Sequence, residues 1–186
     1  IIGGAKIATK IDILKNFIGK ADSILIGGGL ANTFLAAAGY DIGQSLYEKD
    51  KIAVARDIML LAEKKKTRFI LPKDVVVADQ ISDKTETLTI PIQDVEGDMR
   101  ILDIGPMTRT RFHQLIENSK TIIWNGPLGL HEYQPFQAGT KLIARELANS
   151  KKITVLGGGD TIEALQKFKI SLKKFTHVSS GGGAML

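Results

Sequence analysis

Short apolar runs recur along the chain, and helical patterns lie between them. "SILIG" (23–27), "RFIL" (68–71), "TIIW" (121–124) and "ITVL" (153–156) are nearly continuous in Ile, Val and Leu. Strands buried on both faces read this way, whereas half-exposed strands alternate. "KIDILKNFIGKA" (10–21) places Ile11, Leu14 and Ile18 on one helical face. "KDKIAVARDIMLLAEKKK" (49–66) does the same with Ile52, Ala55, Met59 and Ala62. "TRTRFHQLIENS" (108–119) and "FQAGTKLIARELANS" (136–150) predict two more helices. Strand and helix in alternation predict an α/β fold, a doubly wound and mostly parallel sheet with helices on both faces. "TETLTI" (85–90) breaks the rhythm by alternating, so it predicts a half-exposed antiparallel strand at the sheet edge. "QDVEGDM" (93–99) follows as a turn-rich loop. No Pro-, Gly- or Ser-rich linker and no fixed repeat interrupts the pattern, so residues 1–186 are expected to form one domain.

Glycines cluster where strands are predicted to end. "IIGGAK" opens the chain, and "LIGGGLANTF" (25–34), "WNGPLG" (124–129), "VLGGGDT" (155–161) and "VSSGGGA" (178–184) follow. In an open parallel sheet these turns fall at the carboxyl ends of the strands, where ligands bind. One glycine turn is ordinary geometry. Five at one sheet edge point to a phosphate-bearing ligand, because helix N-termini present unpaired N–H groups to anions. G-x-x-x-x-G-K-[ST] is absent, and neither "GGGLAN" nor "GGGDTI" completes G-x-G-x-x-G. A P-loop NTPase and a simple NAD-binding dehydrogenase both lose support.

Composition narrows the chemistry further. The chain has no Cys, which removes thiol catalysis, disulfides and Cys-based zinc sites. His113, His131 and His177 are too scattered for the usual zinc spacings, and His131 is expected to be a surface or loop residue. The net charge of +5 suits a small anionic ligand. It is not concentrated as a nucleic-acid footprint would be. "KKK" (64–66) is expected to be a solvated helix C-terminus matched to the helix dipole. No apolar run approaches the roughly 20 residues that span a bilayer, and no secretory signal opens the chain. With no initiator Met, both ends read as cuts in a longer chain.

Three sets of residues carry candidate chemistry. Lys6 and Lys10 stand four apart after Gly3 and Gly4. On a helix start they would share a face, as an exposed pair or as a phosphate clamp. Asp160 with Glu163 has the spacing of a capping box. Asp160 is equally suited to Mg²⁺, which is often held by one or two carboxylates plus phosphates, and Thr161 can donate to a phosphate oxygen. Glu132 is either a solvated loop carboxylate or an acceptor for a ribose hydroxyl.

In this order "GGAKIATKI", "GGGLANTFL", "LDIGPMT", "WNGPLGLHE", "GGGDT" and "HVSSGGGA" resemble the C-terminal, nucleotide-binding domain of the phosphoglycerate kinase family, across essentially the whole chain. The resemblance implies a Rossmann-like lobe of a two-lobe, cytoplasmic, monomeric glycolytic phosphotransferase. Such an enzyme moves a phosphoryl group between 1,3-bisphosphoglycerate and MgADP, giving 3-phosphoglycerate and MgATP. It implies that Lys6 and Lys10 bind phosphates, with Lys10 reaching the migrating group. It implies that Gly27, Gly28 and Gly29 wall the adenine site, Asn125 faces the phosphates and Glu132 meets the ribose. Gly158, Gly159, Asp160 and Thr161 would form the phosphate and metal turn. Gly181, Gly182 and Gly183 would start a helix facing the transferred phosphoryl, although the few residues after Gly183 are too short a helix to hold it firmly. Ile101 stands where many relatives carry Gly, and it is expected to narrow the adenine pocket. His131 stands where Phe is common. "IIGG" looks like the tail of a first strand. The lobe that binds phosphoglycerate is missing, so residues 1–186 alone are expected to bind Mg-nucleotide weakly and to turn over negligibly. A non-catalytic nucleotide-binding module is the competing class.

Overall fold

The computed structural model describes residues 1–179. The catalytic role and the weak ordering expected for Gly181, Gly182 and Gly183 lie outside the described residues.

Among the described residues, eight strands and six α-helices follow one another along the chain. The four apolar runs form β1 (Ser23–Leu25), β2 (Arg68–Ile70), β6 (Thr121–Asn125) and β7 (Ile153–Gly157). β1 pairs with β2, and β6 with β7, in parallel, and β8 (His177–Ser179) adds to β7 in the same sense. Ile2 bridges to both Ile26 and Asn125 in parallel register, so the first residues join the two parallel sheets.

Side chains of β1 and of Ile26 just after it alternate between two apolar clusters, which shows both faces covered. Ile24 and Ile26 pack with Leu14 of α1 (Ile11–Phe17), Phe34 of α2 (Gly28–Ala37) and Ile58 of α3 (Ile52–Lys64). Leu25 packs with Phe112 of α4 (Pro106–Glu117), Ile143 of α5 (Ala138–Asn149) and Leu165 of α6 (Gly159–Lys167). This is the doubly wound arrangement that the alternation predicts. The face of α3 is centred on Ala55, Ile58 and Ala62, with Met59 only half-buried. Lys64, Lys65 and Lys66 are exposed at its end.

One part differs from expectation. β4 (Leu88–Pro91) is antiparallel and at an edge, but the edge belongs to a separate sheet of order β4-β3-β5. β3 (Asp74–Ala78) and β5 (Arg100–Ile104) build that sheet. Every residue of β3 is buried, because it is the central strand and is covered by Leu35 of α2 and by Ile92 and Val95.

Candidate functional site

Three glycine turns meet backbone to backbone at the carboxyl ends of the central parallel strands. Gly3 N–H donates to Asn125 O, Gly4 N–H to Pro127 O and Gly28 N–H to Leu128 O, at 2.8, 2.8 and 2.9 Å. Gly28 has a φ of +67°, and a Cβ there would lie 2.7 Å from both Gly4 O and Pro127 O. Glycine is therefore required here so that the turns can approach one another. The sequence alone assigned that freedom to ligand approach. Gly28 and Gly29 still line the adjoining cleft, while Gly27 packs beneath the Leu128 side chain.

Lys10, Asn125 and Asp160 converge beside these turns. Lys10 caps the start of α1, and its Nζ donates to Oδ1 of Asn125. Asn125 ends β6 and is fully buried, and its Nδ2 has no partner among the described residues. Burial lowers the Lys10 pKa, and the Asp160 carboxylate opposes that shift. A partly desolvated ammonium attracts an anion more strongly than one in water.

Lys6 departs from the predicted geometry. The helix starts only at Ile11, so Lys6 and Lys10 share no helical face. Lys6 is exposed on the preceding turn. The N–H groups of Ile7 and Ala8 bind the distant Glu48 carboxylate instead of starting a helix.

The Asp160–Glu163 capping box does not form. Gly158, with a φ of +97°, is the N-cap of α6, and no side chain accepts from the first turn. A capping box needs an accepting side chain at the N-cap with the Glu or Gln three residues on, and Gly158 has no such side chain. Asp160 and Glu163 are instead both exposed and line the cleft. The Asp160 carboxylate has no hydrogen-bond partner among the described residues, which leaves its oxygens open to a cation. Gly159 is exposed with open space beyond its Cα. Thr161 is fully buried: its Oγ1 donates to Gly157 O at 2.9 Å and accepts from Gly126 N–H at 2.7 Å. Its hydroxyl proton is thereby committed inside the protein and is not presented to a phosphate.

The cleft has a volume of about 260 Å³. Its walls are mostly apolar, with Gly28 and Gly29 on one side and Val75, Ile101 and Leu130 among the rest. Ile101 does line the cleft, so its branched side chain occupies space that Gly would leave open. Glu132 stands at the rim with its side chain half exposed. His131, expected to be a surface or loop residue, lies in a loop but is only 2% exposed. Its ring is packed edge-on against Phe168, with centroids 6.5 Å apart.

Two buried carboxylates escaped the sequence reading. Asp103 of β5 accepts from Gly139 N–H at the start of α5 and from its own neighbour Ile104 N–H, each at 2.8 Å. Burial pushes its carboxyl up to about 7, against the pull of those N–H groups and of Arg109. Asp74 of β3 accepts from Met107 N–H at 2.8 Å and Thr108 N–H at 2.7 Å. It thus serves as the missing cap of α4, whose own N-cap is Gly105, and such caps contribute about 1 kcal/mol. The signal for both was a lone Asp at or within an apolar run, "KDVVVA" and "RILDIG". Among the described residues no three His, Cys, Asp or Glu side chains cluster as a protein-only metal site.

The family model for phosphoglycerate kinase matches residues 1–186. A phosphoglycerate kinase of Herpetosiphon aurantiacus is 48% identical over 186 residues, which cover all of this chain and 47% of the relative. One from a Roseiflexus species is 45% identical with the same coverage. Among solved structures, the phosphoglycerate kinase of Coxiella burnetii superposes with a TM-score of 0.94 at 40% identity, covering 98% of this chain and 47% of that one. That of Pyrococcus horikoshii superposes with a TM-score of 0.75 at 28% identity, covering 99% and 46%. The chain thus spans about half the length of the relatives it matches, and by sequence and by fold it belongs to the phosphoglycerate kinase family.

Proposed function

We propose that the chain is the nucleotide-binding lobe of a phosphoglycerate kinase. It holds Mg-ADP or Mg-ATP while a phosphoryl group passes to or from a phosphoglycerate bound by the other half of the enzyme. The observation that carries this reading is the convergence of Lys10, Asn125 and Asp160 at the carboxyl ends of parallel strands, beside an apolar cleft. The base lies in the cleft against Gly28, Gly29 and Ile101. The ribose meets Glu132, and the phosphates run toward Gly158, Gly159 and Lys10.

Phosphoryl transfer asks for position and charge more than for covalent work. The carboxylate of a phosphoglycerate and the phosphate of a nucleotide are already nucleophiles, so no general base is needed. Lys10, fixed by Asn125, stabilises the charge that develops on the transferred group. Asn125 Nδ2 and the first N–H groups of α6 supply further donors. Thr161 holds the Gly126 and Gly157 turns in register, a supporting role in place of direct contact. Asp160 fits a Mg²⁺ that enters with the nucleotide, because its free carboxylate adds to phosphate oxygens as that ion requires. Bound there, the ion supplies charge neutralisation across the phosphates.

Phosphoglycerate contacts belong to the other half of the longer relatives, so the chain alone binds nucleotide with negligible turnover. On this reading the enzyme works in the cytoplasm, as a glycolytic phosphotransferase would. No helix among the described residues is long and apolar enough to cross a membrane. Lys10→Ala in the longer enzyme tests the reading. A kinase loses kcat, whereas a non-catalytic nucleotide-binding module loses affinity only. Near-normal turnover by residues 1–186 in a coupled assay would contradict the predicted inactivity of the isolated lobe.

A further inference from the structure

His131 is buried at the cleft rim beside Glu132, in the loop between β6 and α5. Neither ring nitrogen has a hydrogen-bond partner among the described residues. Nδ1 lies 3.6 Å from Oε2 of Glu132, just beyond hydrogen-bonding distance. Burying two polar atoms with no partner is unfavourable, and packing on Phe168 needs only an aromatic ring. The Glu132 carboxylate is half exposed, and among the described residues its ion-pair neighbour is that same Nδ1. The partner missing from His131 Nδ1 and the anchor missing from Glu132 are therefore one contact. A shift of a few tenths of an ångström closes it.

We propose that His131 is a positioning residue for sugar recognition: with a nucleotide bound, its Nδ1–H donates to the Glu132 carboxylate and aims the other lone pairs at the two vicinal hydroxyls of the ribose. This rests on the nucleotide reading of the cleft. A carboxylate accepts through about four lone-pair sites, so one bond to His131 leaves enough for both hydroxyls. An anchored carboxylate cannot turn to water when a hydroxyl is missing, so it penalises a deoxy sugar. A free carboxylate turns to solvent and discriminates less. The ordering entropy of the Glu132 side chain is also reduced before the nucleotide arrives.

The test is the ratio of Kd for Mg-2′-deoxyADP to that for MgADP, measured with the native chain, His131→Phe, His131→Asn, Glu132→Gln and the Phe/Gln double variant. Phe keeps the ring shape without the nitrogens, and Asn restores an N–H near Nδ1. The native chain is expected to favour ADP. His131→Phe lowers that preference by about fivefold to tenfold, the worth of one ordinary hydrogen bond. Inorganic diphosphate affinity stays unchanged in His131→Phe. His131→Asn keeps the preference, and His131→Phe adds nothing in the Glu132→Gln background. An unchanged ratio in His131→Phe overturns the proposal. So does a lost preference in His131→Asn, which carries the test if the Phe variant does not fold. If the native chain binds neither nucleotide, the nucleotide reading fails and takes the proposal with it. The two failures are thus distinct.

Discussion

Thr161 and Gly126 are joined by a 2.7 Å hydrogen bond from the Gly126 N–H to the Thr161 hydroxyl, which ties the turn after β6 to the first turn of α6. The same hydroxyl donates to Gly157 O at 2.9 Å, so one buried oxygen fixes two of the glycine turns that bound the site. Thr161→Val keeps the shape and leaves the buried Gly126 N–H without an acceptor. That costs about 2–3 kcal/mol. Thr161→Ser retains the hydroxyl and most of the stability. Urea denaturation of both variants distinguishes them: a loss in Thr161→Ser with little loss in Thr161→Val would mean that the methyl group, and not the hydroxyl, holds the turns.

Gly159 offers a separation of stability from binding. A Cβ there meets nothing within 4 Å, and the residue opens α6 with no left-handed strain. Gly159→Ala removes unfolded-state freedom and raises stability by about 0.5 kcal/mol. The added methyl stands in the space proposed for the phosphates, so nucleotide affinity falls. A melting curve and a nucleotide titration on the same sample check the two signs together. A variant that is stabilised and binds as before would move the phosphates away from α6.

Asp103 gives a pH dependence with a definite sign. Its folded pKa is raised to about 7 from 3.8, chiefly by desolvation. The folded state therefore holds a proton that the unfolded state has released throughout the window between those values. The contribution to stability is fully present below about 3.8, declines as pH rises and is lost above about 7. Unfolding at pH 5.5 is expected to release about one more proton from the native chain than from Asp103→Asn. Calorimetry in buffers of different ionisation enthalpy measures that difference. Equal proton release from the two would show that Asp103 stays ionised in the fold.

Much of this was legible in the sequence, and the exceptions have physical causes. Runs such as "TIIW" and "ITVL" became central parallel strands because continuous apolarity has one good solution, burial on both faces. β5 was hidden because Asp103 interrupts its apolar pattern, and only the α5 N–H groups, 36 residues away, explain that Asp. Lys10 was found from its place after "GGAK", but Asn125, which fixes its ammonium, lies 115 residues further on. The capping box misled because spacing alone cannot say which residue takes the N-cap conformation. Gly158, at a φ of +97°, takes it and puts Asp160 two positions inside the helix. His131 lies in a loop as expected but is buried, because loop position predicts exposure only on average and Phe168 packs against it.

The most direct test of the central claim is calorimetric titration of the chain with MgADP, alongside Lys10→Met and Asp160→Asn. The expected result is saturable one-to-one binding. Lys10→Met weakens it by about tenfold or more, the worth of a charge-assisted contact. Asp160→Asn removes most of the dependence on Mg²⁺. Absence of binding by the native chain, or binding indifferent to both substitutions, would contradict a nucleotide site built on Lys10, Asn125 and Asp160.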